Sequence, residues 1–236
     1  MTTPRILEVR QGLLKKNDMI AATLRAQYKT AGTFVVNLVS SPGTGKTLFL
    51  ERTLAALRDR GYRPAALVGD LETDHDALRL ARSGAPARQI NTHGICHLEA
   101  EMVERHLVGW NLADFDFLFI ENVGNLVCTS SYDLGEQLRV VLLSVTEGED
   151  KPLKYPTLFN TADVGIITKA DLAAACEFDP ALAERNLHAV RPGLPLLIVS
   201  AKTGQGMTSW LDFLVDRRQQ SNTAMLENRR ESLARR

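Results

Sequence analysis

Several absences narrow what this chain can be. No apolar run reaches the roughly 20 residues that a membrane-spanning helix needs, and the N-terminus "MTTPRILEVRQ" has no signal-peptide core. A soluble, cytoplasmic protein is therefore expected, with no membrane partner. Neither sign of charge is in excess: 28 Lys and Arg balance 28 Asp and Glu, so electrostatics gives no reason to expect nucleic acid as a partner. Cysteine is scarce, with only Cys96, Cys128 and Cys176 among 236 residues. A disulfide framework is not expected from so few in a reducing compartment, which leaves metal binding or reactivity as the special roles open to them. Internal repeats and low-complexity tracts are also missing. The length suits one well-buried domain with end segments rather than two domains.

What is present is a regular alternation. The apolar runs "FVVNLVS", "AALVGD", "DFLFIENVG", "VVLLSVTEG", "DVGIITKAD" and "LPLLIVSAK" are separated by stretches of helical character. That pattern predicts an α/β fold with a mainly parallel central sheet flanked by helices on both faces. The stretch "GKTLFLERTLAALRDRG" reads as a helix stopped by Gly61, and "CHLEAEMVERHL" as a helix starting near Cys96. Residues 1–30 read as an amphipathic helix with Ile6, Leu13, Leu14, Ile20 and Leu24 on its packed face, 31–216 as the main domain, and 217–236 as a polar, Arg-rich tail. In such folds the loops at the strand ends gather on one edge of the sheet, where ligands bind.

One of these loops is "SSPGTGKT", residues 40–47, which departs from the phosphate-binding pattern G-x-x-x-x-G-K-[ST] only in having Ser40 at the first glycine. A strand, a glycine turn and a helix start aim several backbone N–H groups and a positive helix end at one point, which suits polyphosphate. Ser41, Gly43, Thr44, Gly45, Lys46 and Thr47 are the expected contacts, with Lys46 on the β and γ phosphates and the Thr47 hydroxyl on Mg2+. Two later loops favour guanine over adenine, and so GTP or GDP as the nucleotide. Asp171 in "ITKADL" can accept both N–H donors of guanine's edge, a pair that adenine does not offer. The Lys169 stem can cover the ring, and "SAK" (Ser200, Ala201, Lys202) is placed to complete the base loop. Thr168 stands where the usual motif N-K-x-D has asparagine.

Two acidic residues end apolar runs at the same edge, Asp70 in "VGDLETDHDA" and Glu121 in "ENVG". They are candidates, with Thr47 and Asp76, to hold Mg2+, and with Lys46 to serve hydrolysis by charge stabilisation and water orientation. Asp74 and Asp76 equally suit helix capping. Gly124 can aim its backbone N–H at the γ phosphate. Beyond the nucleotide, Cys96 and His97 adjoin one another, and Cys128 lies seven positions after Glu121. Thiolate and imidazole suit a borderline-soft ion such as Ni2+ or Zn2+. The spacing is not a standard zinc signature, however, and isolated cysteines are commonly buried apolar residues. His93 is a possible further ligand, and Cys176 reads as structural.

Taken together, "VVNLVSSPGTGKT", "GDLETDHDA", "GICHLEAEMV", "ENVGNLVC", "SVTEGEDKPLKYP", "ITKADL" and "SAKTGQGM" resemble the hydrogenase nickel-incorporation GTPase family, HypB, a P-loop NTPase family, over most of the chain. The pairing of C-H-L-[DE]-A with ENVGNLVC is the most specific feature, and the family's loop commonly reads SSPGSGKT, which accounts for Ser40. The resemblance implies that Cys96, His97 and Cys128 form a nickel or zinc site. It further implies slow GTP hydrolysis, a GTP-bound homodimer, a HypA-type zinc/nickel chaperone as partner, and delivery of nickel to the [NiFe] hydrogenase large-subunit precursor. Lys151 and Lys154 match a charged loop near the dimer's nucleotide sites, with Lys154 placed to reach the partner's phosphate. In the switch this implies, GTP and Mg2+ order the ENVG loop and Cys128 moves with it. The N-terminal C-x-x-C-G-C motif and His-rich stretch of some members are missing, so high-affinity nickel binding there is not expected. The urease nickel GTPases use Cys-Pro-His where this chain has Cys96 beside His97. A cobalamin-enzyme G-protein chaperone has no need of the cluster, and a P-loop small-molecule kinase leaves ENVGNLVC unexplained.

Overall fold

All seven residues of the strand Phe34–Ser40 (β1) are buried, so both of its faces must be covered and its alternating side chains feed two separate cores. Val36 and Leu38 pack with Leu50, Leu54 and Leu57 of one helix and Trp210 and Leu214 of another. Val35, on the opposite face, packs with Ala21, Leu24 and Tyr28 of the first helix and with Val103 and Leu107. The computed structural model describes residues 3–70 and 79–234. In chain order its main elements are α1 (Thr3–Ala31), β1, α2 (Lys46–Asp59), β2 (Pro64–Asp70), β3 (Ala87–Asn91), α3 (Ala100–Leu107), β4 (Phe117–Glu121) and β5 (Leu138–Ser144). They continue with the short helices α4 (Lys151–Lys154) and α5 (Pro156–Thr161), then β6 (Val164–Thr168), α6 (Pro180–Val190), β7 (Leu196–Ile198) and α7 (Met207–Ala234).

The strands form one sheet in the order β3-β2-β4-β1-β5-β6-β7, and every pairing is parallel. The expected parallel sheet with helices on both faces is thus the observed fold. The chain reverses its direction of travel across the sheet at β1, whose C-terminal end carries the phosphate loop; this is where open α/β sheets place their ligands. Gly61 ends α2 as expected, with φ of 82° and its N–H bonded to the Arg58 carbonyl at 2.8 Å. Among the described residues no helix is long and apolar enough to span a membrane.

Four expectations need correction. The edge strand β3, "ARQIN", buries only Ile90; an edge strand with one core residue has no apolar run to reveal it. The helix after Cys96 begins at Ala100, because the segment before it is held extended by side chains from elsewhere: Leu98 N–H bonds to Asn122 Oδ1 and Ala100 N–H to Asn17 Oδ1. Along α1 the packed face is Asn17, Ala21, Leu24 and Tyr28, while Leu13 is 57 % exposed; Ile6 is not among the described side chains. Cys176, read as structural, is exposed, in the loop between β6 and α6. Asp74 and Asp76 lie outside the described residues.

Candidate functional site

The phosphate loop leaves β1 at Ser40, a buried residue whose backbone is still strand. Glycine's freedom is therefore not needed at this position, and the hydroxyl takes a structural role instead. Ser40 Oγ donates to the Ser41 carbonyl at 2.6 Å and accepts from Lys46 Nζ at 2.9 Å, which aims the lysine across its own loop. Glycine is needed at Gly43 and Gly45, where φ is 74° and 93°. Thr47, in the first turn of α2, donates from Oγ1 to Glu121 Oε1 at 2.8 Å. Lys46, Thr47, Glu121 and Gly124 share one cleft with Gly69 and Arg79. A helix N-terminus and a lysine there favour phosphate, and the oxygen pair of Thr47 and Glu121 suits a hard cation. Asp70 ends β2 at this edge, with its backbone paired in register with Asn91; its carboxylate is not among the described side chains.

A second cleft of about 200 Å³ opens on the far side of Gly45, lined by Lys169, Asp171, Ser200, Ala201 and Lys202 together with Leu48 and Leu172. Asp171 Oδ1 accepts from Ser200 Oγ at 2.6 Å, which orients the carboxyl group within the lining of the cleft. Lys169 adopts a left-handed backbone, φ 58°, and reaches back so that Nζ donates to the Gly43 carbonyl at 2.7 Å. Thr168 Oγ1 donates to the Thr44 carbonyl at 2.8 Å, so the residue standing in place of asparagine ties the base loop to the phosphate loop. Glu147, which the sequence does not single out, accepts from Thr44 Oγ1 at 2.6 Å. Arg79 is also new to the site; its Nε donates to Glu51 Oε2 at 3.0 Å. Glu147 lies within "SVTEGEDKPLKYP" but nothing in that stretch points to the phosphate loop, and only the folded chain brings either residue there. Lys154 lies in neither cleft; it is paired with Asp150 at 2.5 Å on the surface.

The sulfur and nitrogen cluster is carried by the segment before α3 and by the loop that follows β4. Cys96 Sγ lies 2.9 Å from Cys128 Sγ and 3.8 Å from His97 Nδ1, and one donor atom from each of the three residues falls within 4.8 Å of the others. The His97 ring stacks on Tyr132 with centroids 3.9 Å apart, and its Nε2 faces Glu99 Oε1 at 3.4 Å. Burial lowers the His97 pKa, against the opposing pull of Glu99, which favours the neutral ring and its lone pair. The Cys96 thiol is pushed up by its contact with the Cys128 sulfur and by burial. Two thiols and a neutral imidazole fit a borderline-soft divalent ion and leave a coordination position open. His93, exposed in a left-handed turn with φ 50°, is not part of the cluster.

Comparison with known proteins identifies this arrangement. Residues 34–197 match the family described as CobW/HypB/UreG, nucleotide-binding domain. The hydrogenase maturation factor HypB of Azotobacter vinelandii is 45 % identical over 232 residues, which cover 98 % of this chain and 76 % of that protein. The chain belongs to the HypB family. Within it, the HypB of Escherichia coli K12 is 44 % identical over 92 % of this chain and 75 % of its own length. The crystal structure of HypB from Helicobacter pylori in complex with nickel is 42 % identical, covers 88 % of this chain and 97 % of that one, and superposes with a TM-score of 0.82. HypB from Archaeoglobus fulgidus gives a TM-score of 0.80 at 37 % identity, covering 86 % and 99 %. Membership in HypB makes residues 34–197 a nucleotide-binding domain of the P-loop class.

Proposed function

We propose that this chain is a GTP-hydrolysing nickel metallochaperone that helps insert nickel into the [NiFe] hydrogenase large-subunit precursor. The observation that carries the reading is the pairing of two sites on one loop. Glu121, bonded to Thr47 at the phosphate cleft, and Cys128, 2.9 Å from Cys96, are joined by the segment "ENVGNLVC". The hydrogenase maturation named in the HypB relatives, and the nickel in the Helicobacter pylori structure, support nickel as the cargo, with zinc as the competing ion.

In this reading the loop amides from Ser41 to Thr47 and Lys46 hold the phosphates, and Asp171, Lys169 and the Ser200–Lys202 loop hold guanine. Thr47 and Glu121, with Asp70 and Asp76, hold Mg2+, which neutralises charge building on the phosphate oxygens. Glu121 orients water for slow hydrolysis to GDP. Gly124 brings its N–H to the γ phosphate, so the ENVG loop takes different positions with GTP and with GDP, and Cys128 follows. GTP-bound copies pair as a homodimer, with Lys154 reaching the partner's phosphate. A HypA-type zinc/nickel chaperone exchanges the ion, and the cycle runs in the cytoplasm.

The test is titration of Ni2+ into metal-stripped protein loaded with GDP or a non-hydrolysable GTP analogue, following thiolate-to-nickel absorbance and molecular mass together. Nickel affinity should differ between the two states, mass should double with the analogue, and the absorbance should vanish in Cys96→Ala and Cys128→Ala. Equal affinities in both states refute the linkage, because coupling requires differential binding. Phosphate release without any added acceptor separates a GTPase from a small-molecule kinase.

A further inference from the structure

Glu121 and Asn122 are consecutive residues at the end of β4, so their side chains leave opposite sides of an extended backbone. Glu121 reaches Thr47 in the phosphate cleft. Asn122 turns the other way into the protein, where it is buried and makes three side-chain hydrogen bonds. Its Oδ1 accepts from Val123 N–H at 3.0 Å and from Leu98 N–H at 3.1 Å, and its Nδ2 donates to Asn37 Oδ1 at 3.4 Å. Leu98 follows His97 directly. Asn122 thus ties the strand end at the phosphate cleft to the segment carrying Cys96 and His97, a route separate from the covalent one through Cys128.

The chain of polar contacts continues. Asn37 Nδ2 donates to Glu136 Oε1 at 3.0 Å, Glu136 accepts from Arg139 Nε at 2.8 Å, and Arg139 Nη2 donates to the Tyr132 carbonyl at 2.9 Å. The Tyr132 ring in turn stacks on His97. Asn37, Asn122 and Arg139 are all buried, and the Glu136 side chain is only 6 % exposed. In such a network a group that moves must carry its partners along or strand them without a hydrogen bond, and a buried polar group left unpaired loses the solvation it gave up on folding. A shift of Asn122 by half an ångström or so away from Leu98 would already stretch their bond past its useful range.

Building on the nucleotide-linked metal binding proposed above, we infer that Asn122 is a positioning residue that carries the nucleotide state to the Cys96–His97 side of the metal cluster. The Asn37–Glu136–Arg139 line steadies its other end against the Tyr132 loop. Both ligand segments then respond to the phosphate, one through the backbone to Cys128 and the other through the Asn122 amide.

The experiment measures Ni2+ affinity by thiolate-to-nickel absorbance at saturating GDP and at a saturating non-hydrolysable GTP analogue, for the wild-type chain, Asn122→Ala and Asn37→Ala. With the wild type expected to differ by about tenfold between the two states, within the range usual for coupled sites, Asn122→Ala should lower the ratio to about threefold, the remainder being carried by the route through Cys128. Asn37→Ala, which removes only the rear support, should give an intermediate ratio. If Asn122→Ala weakens nickel binding equally in both states and keeps the wild-type ratio, its role is merely structural and the inference is overturned. A wild-type ratio of one overturns the inference together with the reading on which it rests. Hydrogen exchange on the metal-free wild-type chain tests the same point without a variant: exchange over residues 95–100 should change at least about threefold on replacing GDP with the analogue. Unchanged exchange there, with a change confined to residues 121–128, overturns the relay and leaves only the route through Cys128.

Discussion

Nickel affinity should fall steeply as pH drops from 8.0 to 6.5, and the structure sets both the sign and the size of the effect. The Cys96 thiol is raised above its ordinary pKa by the neighbouring Cys128 sulfur and by burial, so it stays protonated across this window and must release its proton to ligate the ion. His97 is lowered by burial, so it contributes less to the slope in this window than a free imidazole would. Each thiol proton displaced changes the apparent constant about tenfold per pH unit. One proton over 1.5 units gives about 30-fold, or about 2 kcal/mol at 1.36 kcal/mol per unit; a second thiol proton would make it about 1,000-fold. The assay is the nickel titration repeated at four pH values, with the protons released counted by calorimetry in buffers of different ionisation enthalpy. Cys96→Ser should flatten the slope by one proton. An affinity that stays within threefold between pH 6.5 and 8.0 would refute the account, because it would mean that no thiol proton is displaced.

Other consequences follow from single contacts. Asp171→Asn exchanges a carboxylate acceptor for an amide; with charge-assisted bonds contributing about 1.5–3 kcal/mol each, GDP affinity should fall at least about 100-fold while xanthosine diphosphate gains, as read by fluorescent-nucleotide competition. Gly124→Ala puts a methyl 2.8 Å from Pro42 Cα, so the ENVG loop must back away from the phosphate loop. Stability should drop by about 1–3 kcal/mol, with a larger loss of affinity for the GTP analogue than for GDP in equilibrium binding. Asn17→Ala strands the Ala100 N–H and the Asp133 carbonyl, and the urea midpoint should report a loss of about 1–3 kcal/mol for each group left buried. Burial would raise the Asp133 carboxyl, but hydrogen bonds and charge from Arg25 and the Gly135 N–H hold it below its ordinary value. Its stabilising contribution is therefore present above the unfolded-state pKa, about 3.9, and is lost as pH falls through the lower folded value. Arg25→Ala should move that loss to higher pH in acid unfolding followed by circular dichroism.

Much of the frame was legible because buried parallel strands announce themselves: β1, β4 and β5 bury every residue and so read as mostly apolar runs, interrupted internally only by Asn37 and Arg139. The loops that follow strands could be assigned by motif, since Gly43 and Gly45 sit where the backbone turns left-handed and Asp171 lies in the short turn Ala170–Leu172 just after β6. The edge strand β3 escaped because an edge strand with one buried side chain leaves no periodic trace. Cys96 and Cys128 could be nominated as ligands by residue type, but 32 positions of chain separate them and their 2.9 Å approach exists only after β4 and the segment before α3 are brought side by side.

The sequence by itself determined six of the seven strands, the parallel sheet and the chemistry available at their ends, because these depend on local periodicity and on a few residues of fixed backbone demand. Tertiary structure alone decided which face of α1 is packed, where α3 begins, that Ser40 holds Lys46, and that Asn122, Asn37, Glu136 and Arg139 form one buried line. Such polar groups carry no period of their own. Each is fixed by whichever donor or acceptor the fold leaves without water, and for Asn37 with Glu136 and Asn122 with Asn37 that partner lies 99 and 85 positions away in the chain.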